Sequence, residues 1–275
     1  MQTLPSFQHL KAVVFDWAGT VIDFGSFAPM GAFVQLFAQE GIQITVEEAR
    51  VPMGLPKWQH IQALGLQPRI AQQWHKQFGQ AISNSDIDRL HDIFTPMNAA
   101  AVSQHATLIP GVSDLVASLR SSGLKIGSTT GYTRPIMAQM MPLAAKQGFT
   151  PDNCVCADDL PVTRPSPFGI YRAMMDLNVW PAHHVVKVDD TVPGLLEGQH
   201  AGCWTVGVLA SSNHNGQTTD QWFALSEQAK IARREHIKSQ FKAATPDYWV
   251  DTVADLPSVL QEMESRLEQG YRPIR

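Results

Sequence analysis

The residues best able to do chemistry stand just after short apolar runs. Asp16 closes the run in KAVVFDWAGTVID, where a strand would give way to a small-residue turn. A carboxylate placed there can attack phosphorus while also ligating magnesium, and backbone amides around Ala18, Gly19 and Thr20 can cradle phosphoryl oxygens. Taken alone, an aspartate that opens a turn is as commonly a turn former. In GSTTGYTR, Thr130 offers a hydroxyl to a phosphoryl oxygen and Gly131 lets the backbone approach closely. In TRPSP, Arg164 can offset the charge of an attacking carboxylate beside an anionic group, and in VKVDDTVPG, Asp189 and Asp190 supply hard oxygen ligands suited to magnesium. Lys57, in ARVPMGLPKWQH, stands three residues before His60. On a helix the two share a face, and a neighbouring base can keep the amine neutral enough to attack a carbonyl, although a single lysine is by default a solvated surface residue.

The elements that must position these residues follow from periodicity. Short apolar runs at Ala12 to Phe15, Ile126 to Thr129, Cys154 to Cys156, Val185 to Val188, Thr205 to Val208 and Tyr248 to Val250 read as strands. Their near-continuous apolarity is that of parallel strands covered on both faces. Between them, Val112, Leu115, Val116 and Leu119, then Ile170, Ala173, Met174 and Leu177, then Leu256, Val259, Leu260 and Met263 repeat at helical spacing. Alternating strand and helix predicts an α/β fold with a doubly wound, Rossmann-like parallel sheet, whose site lies at the carboxyl ends of the strands. The alternation breaks from about residue 24 to residue 105, where the pattern is helical: Met30, Phe33, Val34 and Phe37 form one stripe, and Thr45 with Glu48 predicts a capping box. The expected division is a core of residues 1–23 and 106–275 with a helical cap of residues 24–105 inserted, hinged near Asp23 to Gly25 and near His105 to Pro110. Ser211 to about Gln221 reads as a polar loop, and the charged string AKIARREHIK after it as a solvated helix face.

Composition removes other classes. A formal net charge of -4 without a Lys/Arg run argues against nucleic acid. No apolar stretch approaches the roughly 18 residues of a membrane span, and the N-terminal string MQTLPSFQHLK lacks a signal-peptide pattern, so the chain is expected to be cytoplasmic. Cys154 and Cys156 have no second pair to complete a tetrahedral metal site, which favours a core role.

Taken in order, the Asp16, Thr130, Arg164 and Asp190 strings resemble the four motifs of the haloacid dehalogenase superfamily, whose helical cap inserts shortly after the first; the resemblance covers nearly the whole chain. Phosphatases of that superfamily generally carry a second aspartate two residues after the nucleophile, as general acid for an oxygen leaving group. Here that position is Ala18. General acid catalysis is typically worth ~10²–10⁴-fold, so its loss points to a leaving group that protonation does not help. Carbon bound to phosphorus has no lone pair to protonate and needs an electron sink, which a lysine condensed with an adjacent aldehyde provides.

The strings FDWAGTVIDFGSFAP, ARVPMGLPKWQH and IGSTTGYTR are similar to those of superfamily members that cleave carbon–phosphorus bonds. The resemblance implies hydrolysis of phosphonoacetaldehyde to acetaldehyde and phosphate, with a Schiff base on Lys57 and an aspartyl-phosphate on Asp16. It implies that Met53 and Gly54, with Gly131 and Ser26, line the substrate, and that His60 and Tyr132 assist proton transfer or orient groups around the lysine. It also implies that the Ala18 carbonyl joins Asp16 and Asp190 around Mg2+, and that the protein is a homodimer through the cap.

Two departures stand out. The usual fourth motif has Gly-Asp with another Asp four residues on; here Asp189 replaces the Gly and Gly194 the later acid. Asp189 can stand in for the missing carboxylate, through a water, although adjacent strand residues ordinarily point to opposite faces. Ser26 stands where some relatives carry cysteine. A phosphatase or phosphomutase acting on a small phosphate ester, and a non-catalytic binding module, remain the alternatives; haloalkanoate dehalogenation fits less well, since displacing a halide does not require a basic site with metal ligands.

Overall fold

The structure, a computed structural model, describes residues 4–273. Five parallel strands form one sheet: β1 Ala12–Phe15, β2 Lys125–Ser128, β3 Val185–Asp189, β4 Trp204–Val208 and β5 Tyr248–Val250, in the order β2-β1-β3-β4-β5. Every residue of β1, β3 and β4 is buried, as two-sided cover requires. Alternate residues serve opposite layers. Val13 and Phe15 pack with the helices Val112–Ser121, Arg134–Ala145 and Leu256–Glu268, whereas Ala12 and Val14 pack with the helix Phe168–Leu177. The doubly wound α/β expectation therefore holds.

Register decides what meets at the carboxyl edge. Phe15 is level with both Ser128 and Val188, so Asp16, Thr129 and Asp189 leave the sheet side by side. The chain also leaves for the cap here and returns beside its exit: Asp23 N donates to Thr107 O at 3.1 Å and Ile22 bridges Leu108. Between these crossings lie the helices Ala28–Gln39, Val46–Arg50, Lys57–Gly65, Pro68–Phe78 and Asn84–Gln104. They enclose a separate apolar cluster that includes Phe33, Phe37, Ile61, Leu64, Trp74 and Phe94. The Thr45–Glu48 capping box forms as expected.

The segment Cys154 to Cys156 is not a strand. Only Val155 bridges Thr129, because polar side chains satisfy much of the β2 edge instead: Asp152 Oδ2 accepts from Ile126 N at 2.8 Å and Asn153 Oδ1 from Ser128 N at 3.3 Å. An edge blunted this way offers no free ladder to another chain. No described helix is long and apolar enough to cross a membrane.

The approach to β1 is held by one carboxylate. Glu264, on the helix Leu256–Glu268, accepts from the backbone N–H groups of Gln8 at 2.5 Å, His9 at 2.8 Å and Leu10 at 2.9 Å. Removing it leaves the buried Leu10 N–H without its acceptor and frees the other two donors. Glu264→Ala is expected to lower unfolding stability by about 2–3 kcal/mol in urea titration, with Glu264→Gln losing less.

Candidate active site

One cavity is lined by Asp16, Ala18, Ser26, Met53, Gly54, Leu55, Lys57, Thr130, Gly131, Tyr132, Arg164 and Thr191. All of the expected substrate and nucleophile positions thus converge, from segments as far apart in sequence as the cap and β3. His60, Asp189 and Asp190 stand outside its lining. It is a small cavity, of about 30 Å³.

Asp16 is anchored from both sides. Its N–H donates to Val188 O at 3.0 Å, and Arg164 Nη2 lies 2.8 Å from its Oδ1. Burial and the charge of Asp189 raise its pKa to about 6, against the opposing pull of Arg164 and Lys187. Arg164 reaches three carboxylates, adding Glu197 at 3.1 Å and Asp189 at 3.4 Å, and donates to Thr129 O at 2.8 Å. Burial alone would lower its pKa, but Asp189, Asp16 and Glu197 outweigh that, so it stays a cation.

Lys57 is the first residue of its helix and is 9% exposed. Burial, with Arg164 adding to it and Asp16 opposing, lowers its amine to about 8. Its Nζ sits over two rings, 5.4 Å from the centroid of Tyr132 and 5.6 Å from that of Phe33. The cause differs from the sequence expectation, which gave the neutral amine to His60. Burial and the charge of Lys57 instead depress His60 well below its ordinary value, so His60 is a neutral ring. It stacks on Phe33 at 3.9 Å and has Nε2 2.9 Å from Ala49 O; the carbonyl can only accept, so Nε2 carries the proton and the buried Nδ1 is left as an unpartnered acceptor. Burial and nearby carboxylates push the Tyr132 phenol well above 10, which keeps it a donor.

Asp16, Asp189 and Asp190 bring carboxylate oxygens within 4.8 Å of one another. Asp189 is already neutralised: burial raises its pKa, but Lys187 at 2.9 Å and Arg164 bring it below the carboxylate norm. Among the described residues Asp190 has no such cation. It accepts from Asn213 N at 2.8 Å and Thr20 Oγ1 at 3.3 Å, and burial beside Asp16 and Asp189 holds its pKa well above the usual range. A buried carboxylate in that state takes either a proton or a cation, so the donor set fits a divalent metal.

A sequence profile of the haloacid dehalogenase-like hydrolases matches residues 10–202. The chain belongs to that family. It is 48% identical to the phosphonoacetaldehyde hydrolase of Paraburkholderia phytofirmans over 97% of this chain and all of that one. It is 46% identical to the enzyme of that name from Klebsiella pneumoniae, over 96% of this chain and 99% of the other. The crystal structure of a phosphonoacetaldehyde hydrolase-like protein from Oleispira antarctica superimposes with a TM-score of 0.94 at 40% identity, covering 99% of both chains.

Within this hydrolase family, the two departures at residues 189 and 194 meet in space. A Cβ built on Gly194 would lie 2.0 Å from Asp189 Oδ2 and 2.1 Å from its Cγ. The carboxylate of Asp189 occupies the room a side chain at 194 would need, fixed there by Thr191, whose N and Oγ1 donate to Oδ1 at 3.0 and 2.7 Å. Asp189 still reaches the cluster although it neighbours Asp190, because the strand ends at Asp189 and its strict alternation ends with it.

Sequence reasoning missed the layer beneath the site. Lys187 is fully buried, with Nζ 2.9 Å from Asp189 Oδ2, 2.9 Å from Thr129 Oγ1 and 3.6 Å from Glu197 Oε2. The signal was present: a lysine inside an apolar strand, two residues before Asp189 and so on its face, must be paired to be buried. Glu197 gave a weaker one, an acid among the small and apolar residues of GLLEGQ. Gly194→Asp alone is expected to lower the melting temperature by several degrees, while Asp189→Gly combined with Gly194→Asp recovers most of the loss. Calorimetry on the two single variants and the double variant measures this coupling.

Proposed function

We propose that this chain hydrolyses the carbon–phosphorus bond of phosphonoacetaldehyde, giving acetaldehyde and phosphate, with residues 24–105 acting as a movable cap. The relatives' names support the substrate. The observation that carries the mechanism is a buried lysine with its amine lowered to about 8, lining one small cavity with Asp16.

Lys57 attacks the aldehyde carbon; water leaves, and a protonated imine remains. At pH 7.5 roughly a quarter of such an amine is neutral, against roughly 0.1% of an ordinary lysine. Asp16 then forms a bond to phosphorus as the carbon–phosphorus bond breaks, and that bond's electron pair passes through carbon to the iminium nitrogen, giving an enamine and an aspartyl-phosphate. Protonation of the enamine carbon and hydrolysis of the imine release acetaldehyde and return Lys57; water at the aspartyl-phosphate releases phosphate and returns Asp16. Arg164 holds Asp16 in place and offsets charge as the anionic group approaches, while Thr130 and the backbone at Gly131 contact phosphoryl oxygens. Tyr132 donates beside the lysine, the neutral His60 ring supports its aromatic wall, and Met53, Gly54 and Ser26 shape the substrate's other side. Mg2+ is the expected metal; Asp16, Asp190 and the Ala18 carbonyl would hold it with Asp189 alongside, and it would neutralise phosphoryl charge. A cytoplasmic homodimer completes this reading, the cap offering exposed Leu66 and Phe78 as apolar contact surface.

A phosphate-ester hydrolase is the less favoured reading. Ala18 supplies no acid for an oxygen leaving group, and such an enzyme has no use for a buried neutral amine.

Borohydride added with acetaldehyde is expected to reduce an adduct onto Lys57, located by peptide mass mapping. Its rate should rise with pH to half-maximum near 8, because the neutral amine is the reactive form and burial moves its appearance down from 10.5. Adduct on another lysine, or a midpoint near 10.5, rejects the imine. Asp16→Ala is expected to abolish phosphate release while leaving the adduct detectable, since the two covalent steps use different residues.

A further inference from the structure

The loop from Ser211 to Gln217 is polar in composition, yet Ser211, Ser212 and Asn213 are 0% exposed and Asn215 is 1% exposed. It joins four parts of the molecule. Ser211 Oγ donates to Gly19 O at 2.7 Å, in the turn after the nucleophile. Gly25 N donates to Ser211 O at 2.8 Å, where the chain enters the cap. Asn213 N donates to Asp190 Oδ2 at 2.8 Å. On the cap side, Arg50 Nη1 donates to Asn213 O at 2.9 Å, to Asn213 Oδ1 at 3.2 Å and to Gly25 O at 2.6 Å, while Asn213 Nδ2 returns a bond to Arg50 O at 3.3 Å.

Arg50 ends the helix Val46–Arg50, and its carbonyl also accepts from Met53 N at 3.0 Å. The next residues along the chain, Met53 and Gly54, form the cap wall of the catalytic cavity, and the helix that Lys57 opens follows directly. That wall sits close against the core: a Cβ on Gly54 would lie 2.7 Å from Thr191 Oγ1. One guanidinium therefore fastens the segment that carries Lys57 both to the entrance of the cap and to the loop that orients Asp190. All of these bonds come from Nη1, while Nη2 is buried without a hydrogen-bond partner among the described residues, so the fastening concentrates on one nitrogen of the guanidinium.

The acceptors are also suited to release. Arg50 forms no ion pair among the described residues; its partners are neutral carbonyl and amide oxygens, which water satisfies equally well when the contact opens. The segment that follows Arg50 walls a small cavity of about 30 Å³, so a fastening that opens and re-forms suits admission of substrate.

We propose that Arg50 is a positioning residue: its contacts with Asn213 and Gly25 hold the cap in the closed placement in which Lys57 shares a cavity with Asp16. The inference rests on the reading of Lys57 as the imine-forming residue. Asn213 is its counterpart on the core and carries the same closure to the carboxylate of Asp190 through its backbone amide.

The test is borohydride trapping of acetaldehyde on Lys57 in the full chain, compared among wild type, Arg50→Ala, Arg50→Lys and Asn213→Ala, with circular dichroism and melting temperature measured alongside. Arg50→Ala and Asn213→Ala are expected to slow trapping roughly 10- to 100-fold and to raise KM, while keeping a cooperative melt. The double variant should be no slower than the slower single one, because both remove one contact. Added methylguanidinium should restore part of the rate in Arg50→Ala, and Arg50→Lys should fall between wild type and Ala. Trapping at the wild-type rate in both alanine variants overturns the proposal, as does a slow rate that methylguanidinium leaves unchanged. If Arg50→Ala does not fold, Asn213→Ala decides, since its backbone amide to Asp190 is retained. Failure of the wild type itself to trap acetaldehyde would sink the imine reading instead, which keeps the two failures distinguishable.

Discussion

A buried carboxylate stays ionised only where cations offset the loss of water, and the architecture around Asp16 supplies them. Four acids, Asp16, Asp189, Asp190 and Glu197, are buried together at the carboxyl edge of the sheet. Arg164 and Lys187 lie among them, each in contact with more than one. Burying charge in this way is expensive unless each ion is paired, so the cations under the site matter as much as the acids that face substrate. Four carboxylates against two cations leave a negative excess, concentrated at Asp190, and a divalent ion is the natural complement to it.

The same burial has the opposite effect on Lys57. Desolvation raises the pKa of an acid and lowers that of an amine, so one dry cavity makes Asp16 harder to ionise and Lys57 easier to deprotonate. Paired guanidinium contact rescues the acid. Among the described residues no carboxylate lies in ion-pair contact with the amine, and the aromatic faces of Phe33 and Tyr132 lie beside it. Both shifts depend on the cap segment that covers the site, because exposure to water would erase them.

The cap has its own apolar core, and its contacts with the sheet domain include the close approach of Gly54 to Thr191 and neutral hydrogen bonds such as those of Arg50. The buried loop from Ser211 to Gln217 bonds both to the turn after Asp16 and to the cap. Its outer side is braced by Arg233, whose Nε and Nη2 donate to Asn215, so the basic helix Glu227–Lys238 is more than the solvated face its composition suggests.

Local chemistry was legible wherever residue type and chain neighbours were enough. Asp16 at the end of an apolar run, the capping box at Thr45, the helical stripes and the cap's interruption of the strand pattern all follow from short-range rules and agree with the structure. The false strand at Cys154 to Cys156 came from the same rules, since apolarity cannot tell a ladder of backbone bonds from an edge served by Asp152 and Asn153. Tertiary structure alone decided that the carboxylate of Asp189 fills the space above Gly194, that burial rather than His60 lowers the Lys57 amine, and that a polar loop is core. Each of these depends on distances between residues far apart in the chain and on exclusion of water, and neither quantity is carried by residue identity or spacing.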